Sequence, residues 1–306
     1  MRLAWLFPGQ GAQRPGFLRR LPDHPAVRAT LGEAAAILGR DLQQLDEPQA
    51  LEDTVAVQLG TVIAGVAVAR ALEAENVAAD AVAGLSVGAF SAAVACQALA
   101  FADALPLVQL RAECMARSAP PGSGMLAILG MSEREVVALV AEVSAQAMLY
   151  LASVNAPSEI VVSGQARALE LALQAVHARG ASARPLAVGI PSHCALMDEV
   201  SQRLRTALSA VRIARPQVPY LSNHRARLVS DAAEVAADLC LNVSRTVRWH
   251  DGMTLLYEHG CRLYCETPPG QVLSNLVRDA FADARAVALE RVPLSDAVLI
   301  ARRGPP

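Results

Sequence analysis

The chain has 306 residues, 53% of them hydrophobic and only 18% charged, against roughly 25% charged in an average soluble domain. It is long enough for one large domain and a smaller one, each with a buried core. A formal net charge of −2 offers no basic face to nucleic acid and no polybasic patch to a membrane.

Residues 3–7 are a short apolar run, read as the first buried strand and too short for a signal-peptide core, so a cytoplasmic location is expected. The run ends in P-G-Q-G-A-Q at residues 8–13. Arg14 stands where a dinucleotide loop would need its third glycine. What remains is a tight loop leaving a strand end, the place where α/β sheets hold ligands. Residues 25–38 and 54–72 read as helices, the second apolar on most faces and therefore buried.

Residues 81–92, A-V-A-G-L-S-V-G-A-F-S-A, organise the rest. A strand-type run meets Gly84, Ser86 and Gly88, and small helical residues follow. Glycines flanking a serine allow a turn tight enough to push its hydroxyl out, with amides of a helix N-terminus beside it. Ser86 is the candidate nucleophile, although G-x-S-x-G by itself equally describes a close-packed strand–helix corner. Residues 81–102 carry no charge, but small residues and the turn exclude a membrane span. A helix over 102–119 carries Arg111.

Residues 120–124, P-P-G-S-G, read as a hinge. Beyond it come a strand at 125–129, a helix at 133–144 capped by Ser132, strands at 149–154 and 160–163, a helix at 166–179 and a strand at 183–188. This β-α-β-β-α-β order is ferredoxin-like. The expected organisation is a large α/β domain of residues 1–124 and 188–306, with 125–187 inserted as a small domain.

I-P-S-H-C-A-L-M at residues 190–197 is expected to open a helix running to about residue 210. That places His193 near a helix N-terminus, where the dipole favours a neutral imidazole able to act as a base. Further elements are a strand at 218–221, helices at 232–241 and 249–259, a strand at 262–266, and a last long helix begun by P-P-G-Q-V-L at 268–273. Six cysteines are scattered without a disulfide framework. Cys261 and Cys265, across an apolar stretch, read as buried thiols, and no metal is expected.

Taken together, P-G-Q-G-A-Q, G-L-S-V-G (84–88), Q-L-R (109–111) and P-S-H-C-A-L-M (191–197) resemble the malonyl-CoA:acyl-carrier-protein transacylase family. V-N-A-P (154–157), V-R-W (247–249) and P-P-G-Q-V-L extend the resemblance over nearly the whole chain. It implies an α/β fold: a hydrolase-like large domain with a parallel sheet covered by helices, plus the inserted ferredoxin-like α+β small domain. It implies Ser86 as nucleophile, His193 as base, the amides of Gln10 and Val87 as oxyanion hole, and Arg111 as the group binding the malonyl carboxylate. The backbone carbonyl of Asn242, seven residues before Trp249, would orient the histidine. The implied substrate is malonyl-CoA, with no bound cofactor, and the implied partner is an acyl carrier protein.

Leu85 departs from the family pattern, which has histidine before the nucleophile. With R-L-P-D-H-P-A-V at residues 20–27, it resembles the epsilon subunit of bacterial malonate decarboxylase, and the favoured expectation is charging of that enzyme's carrier subunit. The alternative is the transacylase of fatty-acid or polyketide synthesis. A serine esterase would normally order an acid between serine and histidine and carry an H-G-G-G-type loop, and neither is evident. An inactive docking subunit has only Leu85 and the stretch around Asn242 in its favour.

Each candidate also has a purely structural reading. His193 could cap a helix, Arg111 could hold a surface carboxylate, Gln10 could satisfy loop amides, and Asn155 fits a turn. His24, His177, His224, His250 and His259 read as structural or surface residues. Arg203, Arg205, Arg212 and Arg215 fit a basic carrier-docking surface and solvated helix charges equally well.

Overall fold

The computed structural model describes residues 2–304. The first strand, β1 (Leu3–Phe7), is buried along its whole length. Alternate residues of a strand face opposite sides, and here Leu3, Trp5 and Phe7 enter one core while Ala4 and Leu6 enter another. Helices must therefore cover both faces. His24 caps α1 (Pro25–Leu38), its ring nitrogen accepting from the Ala26 amide, with Pro25 in the first turn. Asp53 caps α2 (Thr54–Ala74) by accepting from the Val55 amide. By length and composition α2 could cross a membrane, yet 89% of its most apolar window is buried inside the protein.

β2 (Ala81–Gly84) pairs parallel with β1 and leads through a turn into α3 (Gly88–Ala95), followed by α4 (Phe101–Ser118). The chain then builds a second sheet from β3 (Gly124–Leu129), α5 (Glu133–Ser144), β4 (Leu149–Ala156), β5 (Glu159–Gly164), α6 (Ala166–Ala178) and β6 (Ser182–Pro185). Ser132 caps α5, as the sequence suggests, and Glu135 completes a capping box there. The strand order is β4-β5-β3-β6 with antiparallel pairing throughout, the ferredoxin-like arrangement. One face packs on α5 and α6 through Leu126, Ile128, Ile160 and Val162; the other presents Met125, Ala127 and Val161.

The return to the large sheet comprises α7 (Asp198–Leu208), β7 (Tyr220–Leu221), β8 (Leu228–Val229), α8 (Ala232–Leu241), α9 (Trp249–Glu258), β9 (Leu263–Glu266), α10 (Val272–Ala280), β10 (Arg285–Ala288) and α11 (Leu294–Arg303). The large sheet runs β10-β9-β1-β2-β7-β8, parallel except for the edge strand β8. One face is covered mainly by α2, α3 and α4, the other by α9 and α10.

Three expectations are corrected. The strand expected to reach residue 188 stops at Pro185, which has no N–H to donate to a ladder, and residues 186–188 turn to line a cavity. The helix expected to open at 190 begins only at Asp198, after a single 3-10 turn at Ala195–Met197. The single long helix expected after 268 is α10, an edge strand β10 and α11.

Candidate active site

The turn after β2 is built by close approach. A Cβ at Gly84 would lie 2.1 Å from the Gly88 carbonyl oxygen, and one at Gly88 would lie 2.2 Å from the Phe7 carbonyl oxygen. No larger residue fits either position without moving backbone. Between them Ser86 has a φ of 54°, a left-handed conformation rare for a non-glycine residue. The Ser86 amide donates to Asn223 Oδ1 at 3.0 Å, which anchors the strained turn to the loop after β7.

Ser86 opens onto a cavity of about 370 Å³ between the C-terminal ends of the large-sheet strands and the open face of the small sheet, lined also by Gln10, Val87, Arg111 and His193. Arg111, on α4, is 1% exposed. Its Nη2 donates to Ser86 Oγ at 3.1 Å and its Nη1 to Gln58 Oε1 at 2.5 Å. Gln58 Nε2 in turn donates to Thr54 Oγ1 at 3.0 Å, and that hydroxyl donates to Gln10 Oε1 at 3.0 Å. Two residues of the first turns of α2 thus tie the glycine loop to the guanidinium. Burial pulls Arg111 down to about 9, leaving it charged near neutrality, and its Nε has no partner among the described residues. A buried cation with donors to spare can receive an anion.

His193 does not start a helix; its φ is 61°, in a tight turn that precedes the 3-10 segment. Its amide donates to the Val243 carbonyl at 2.7 Å and its Nδ1–H to the Asn242 carbonyl at 2.5 Å. Asn242 ends α8, where the last carbonyls lack intrahelical partners, so an acceptor is available there. This pairing leaves Nε2 as the ring's proton acceptor. Burial, and then the positive charge of Arg111, lower the imidazole from 6.5 to about 4. Burial, rather than a helix dipole, favours the neutral form.

Gln10 and Val87 both line the cavity, and among the described residues neither backbone amide donates to a protein acceptor. The sequence reading missed Thr54, Gln58, Asn223 and Asp238. Asp238, 0% exposed, accepts from Tyr220 Oη and Ser222 Oγ, each at 2.7 Å, from the Asn223 amide at 2.9 Å and from His224 Nδ1 at 2.9 Å. Through Asn223 it holds the Ser86 turn. The spacing of Thr54 and Gln58, polar residues four apart on one face of a largely apolar helix, is the one local signal that could have revealed part of this set.

The family described as acyl transferase domain matches residues 4–297. The chain is 30% identical over 305 residues to the malonyl CoA-acyl carrier protein transacylase of Haemophilus influenzae, covering 97% of this chain and 98% of the relative. The crystal structure of FabD from Acinetobacter baumannii aligns with a TM-score of 0.94 at 31% identity, over 99% of this chain and 98% of that one. A structure of a type II PKS acyl-carrier protein in complex with its malonyl-transacylase aligns with a TM-score of 0.92 at 31% identity, over 98% and 99%. With the match spanning residues 4–297 and the Haemophilus relative covered almost end to end, this chain belongs to the acyl transferase family and is an acyltransferase.

Proposed function

We propose that the chain moves a malonyl group from malonyl-CoA to the prosthetic-group thiol of an acyl carrier protein through an ester on Ser86. What carries this reading is the Arg111 guanidinium within hydrogen-bond distance of Ser86 Oγ. A cation so close to the nucleophile suits an acyl group whose carboxylate lies one methylene beyond the reacting carbonyl. The names of the relatives point the same way.

In the first half-reaction, His193 Nε2 takes the Ser86 hydroxyl proton as Oγ attacks the thioester carbonyl. The amides of Gln10 and Val87 receive the oxyanion, a contribution of roughly 3 to 4 kcal/mol per donor. The C–S bond breaks, the imidazolium returns its proton to the leaving thiolate, and CoA departs. In the second, His193 takes the carrier thiol's proton, sulfur attacks the ester carbonyl, the C–O bond breaks and Oγ regains a proton. Asn242 fixes the ring through its carbonyl throughout. Nucleophile, base and anion-binding groups all belong to the chain, and no cofactor is required.

The names of the relatives, a malonyl CoA-acyl carrier protein transacylase and a type II PKS acyl-carrier protein with its malonyl-transacylase, support a carrier of fatty-acid or polyketide synthesis. Leu85, a wall of the cavity, and the segment at residues 20–27 favour the second reading, a malonate decarboxylase carrier subunit. Intact mass after brief incubation with malonyl-CoA, with acetyl-CoA in parallel, tests the transfer. A malonyl adduct on Ser86 discharged by a carrier thiol is expected. No adduct, or one lost to water as fast as to thiol, overturns the reading. Discharge onto a phosphoribosyl-dephospho-CoA arm but not onto a phosphopantetheine arm would favour the decarboxylase.

A further inference from the structure

The cavity has a second cation that the transfer chemistry does not use. Arg184 lines it, on β6, the edge strand of the small sheet. In register, Arg184 stands opposite Ala127, which stands opposite Val161 on its other side. Paired residues of neighbouring strands point to the same face, and Ala127 and Val161 belong to the face turned to the cavity. Arg184 is exposed while Arg111 is buried. Met125, Val161 and Val188 supply apolar wall in the same cavity. The cavity thus has one guanidinium at its floor, an apolar wall and another guanidinium at its mouth.

The one carboxylate among the cavity's lining residues is Glu159. It lies opposite Leu129, two positions along β3 from the row of Arg184, and its Oε1 accepts from Asn155 Nδ2 at 3.1 Å. Among the described residues Arg184 has no carboxylate partner. An unpaired arginine at the rim of a cleft attracts a second anion, and its planar fork suits phosphate. A substrate with a carboxylate at one end and a phosphate beyond a mostly uncharged arm matches this layout.

We propose that Arg184 binds the phosphate that ends the pantetheine unit, a chemistry shared by CoA and by a carrier's prosthetic arm. The inference rests on the malonyl-transfer reading. Its test compares wild type with Arg184→Ala, Arg184→Glu and Arg184→Lys. Acylation of Ser86 is measured with malonyl-CoA and with malonyl-pantetheine, which lacks phosphate; discharge is measured onto 4′-phosphopantetheine and onto pantetheine.

Arg184→Ala lowers kcat/KM roughly fivefold in a phosphate-bearing arm, chiefly through KM, the size expected of an exposed ion pair. Arg184→Glu lowers it further, Arg184→Lys restores most of it, and added salt shrinks the difference. Both pantetheine arms stay unchanged. A loss confined to malonyl-CoA assigns the donor's phosphate; a loss confined to 4′-phosphopantetheine assigns the carrier's. No loss in either phosphate arm, or an equal loss with pantetheine, overturns the proposal. A wild-type protein that is acylated by neither thioester overturns malonyl transfer itself, and Arg184's role with it.

Discussion

His193 Nδ1–H donates to the main-chain carbonyl of Asn242 at 2.5 Å, so the imidazole is aimed by backbone and not by a carboxylate. A carbonyl orients the ring but brings no full negative charge to hold an imidazolium. Because the Asn242 side chain is not the acceptor, Asn242→Ala should lower Ser86 acylation less than tenfold, whereas His193→Ala should lower it by roughly 10² to 10⁴, the span of general-base contributions. Stopped-flow acylation with malonyl-CoA reads both. Equal losses would make the Asn242 side chain the working group.

The low basicity of His193 sets a pH limit. As the proposed base it must be neutral, so acylation should hold steady below the ordinary imidazole range and reach half its plateau near pH 4. Arg111 is the second cause of the depression after burial, so Arg111→Ala should move this acid limb toward 6.5, measured with acetyl-CoA to avoid the lost carboxylate contact. The stability effect has the same sign. The unfolded chain protonates near 6.5 and the folded one near 4, so this group's contribution declines as pH falls between those values and is constant below them.

Arg111→Ala should reduce kcat/KM for malonyl-CoA by roughly 10- to 100-fold, the worth of a buried charged hydrogen bond, with a much smaller change for acetyl-CoA. Gln58→Ala, which removes the acceptor holding Arg111 Nη1, should fall between wild type and Arg111→Ala on the malonyl-to-acetyl ratio. Equal losses on both substrates would remove Arg111 from carboxylate recognition.

Asp238→Ala strips one acceptor from several buried donors at once. A cost of about 3 kcal/mol or more in urea unfolding is expected, as for breaking a buried charged network. Burial raises the Asp238 carboxyl, but hydrogen bonds from His224, Ser222 and Tyr220 outweigh it and hold the group below 3.8. Its contribution is therefore present above 3.8 and lost as pH falls through the lower folded value. Asn223→Ala, which frees the Ser86 amide, should affect acylation more than unfolding.

What the sequence made legible was local. The turn between β2 and α3 announces itself because Gly84, Ser86 and Gly88 stand within five residues, and the small sheet because strand and helix patterns alternate at short range. The Asn223–Ser86 bond spans 137 positions, and no local pattern encodes it. β8 has two residues, too few for a periodicity to register. His193 was misplaced because Pro191 and Ser192 resemble a helix start, whereas the positive φ of His193 is imposed by bonds to Asn242 and Val243 some fifty residues away.

Gly84→Ala and Gly88→Ala should both abolish the Ser86 turn, since each added methyl meets backbone and not a movable side chain. Loss of soluble yield or a fall in Tm of several degrees is expected, corresponding to about 2 kcal/mol or more. Gly32→Ala, where a Cβ meets nothing within 4 Å, is the control and should be neutral or stabilising. Wild-type melting of the Gly88 variant would mean the turn can relax.

The helix that fills the middle of the large core, α2, is also the one whose first turns hold Arg111 through Gln58. On the proposed reading, recognition of the acyl head is bonded into the most buried helix of the protein, while Arg184 sits on an exposed edge strand of a sheet with its own core. The two ends of the proposed substrate would then be read by parts with unequal freedom to change. Head-group preference can shift only alongside repacking of the interior, whereas the mouth can drift from lineage to lineage and adapt to a new carrier without a folding penalty.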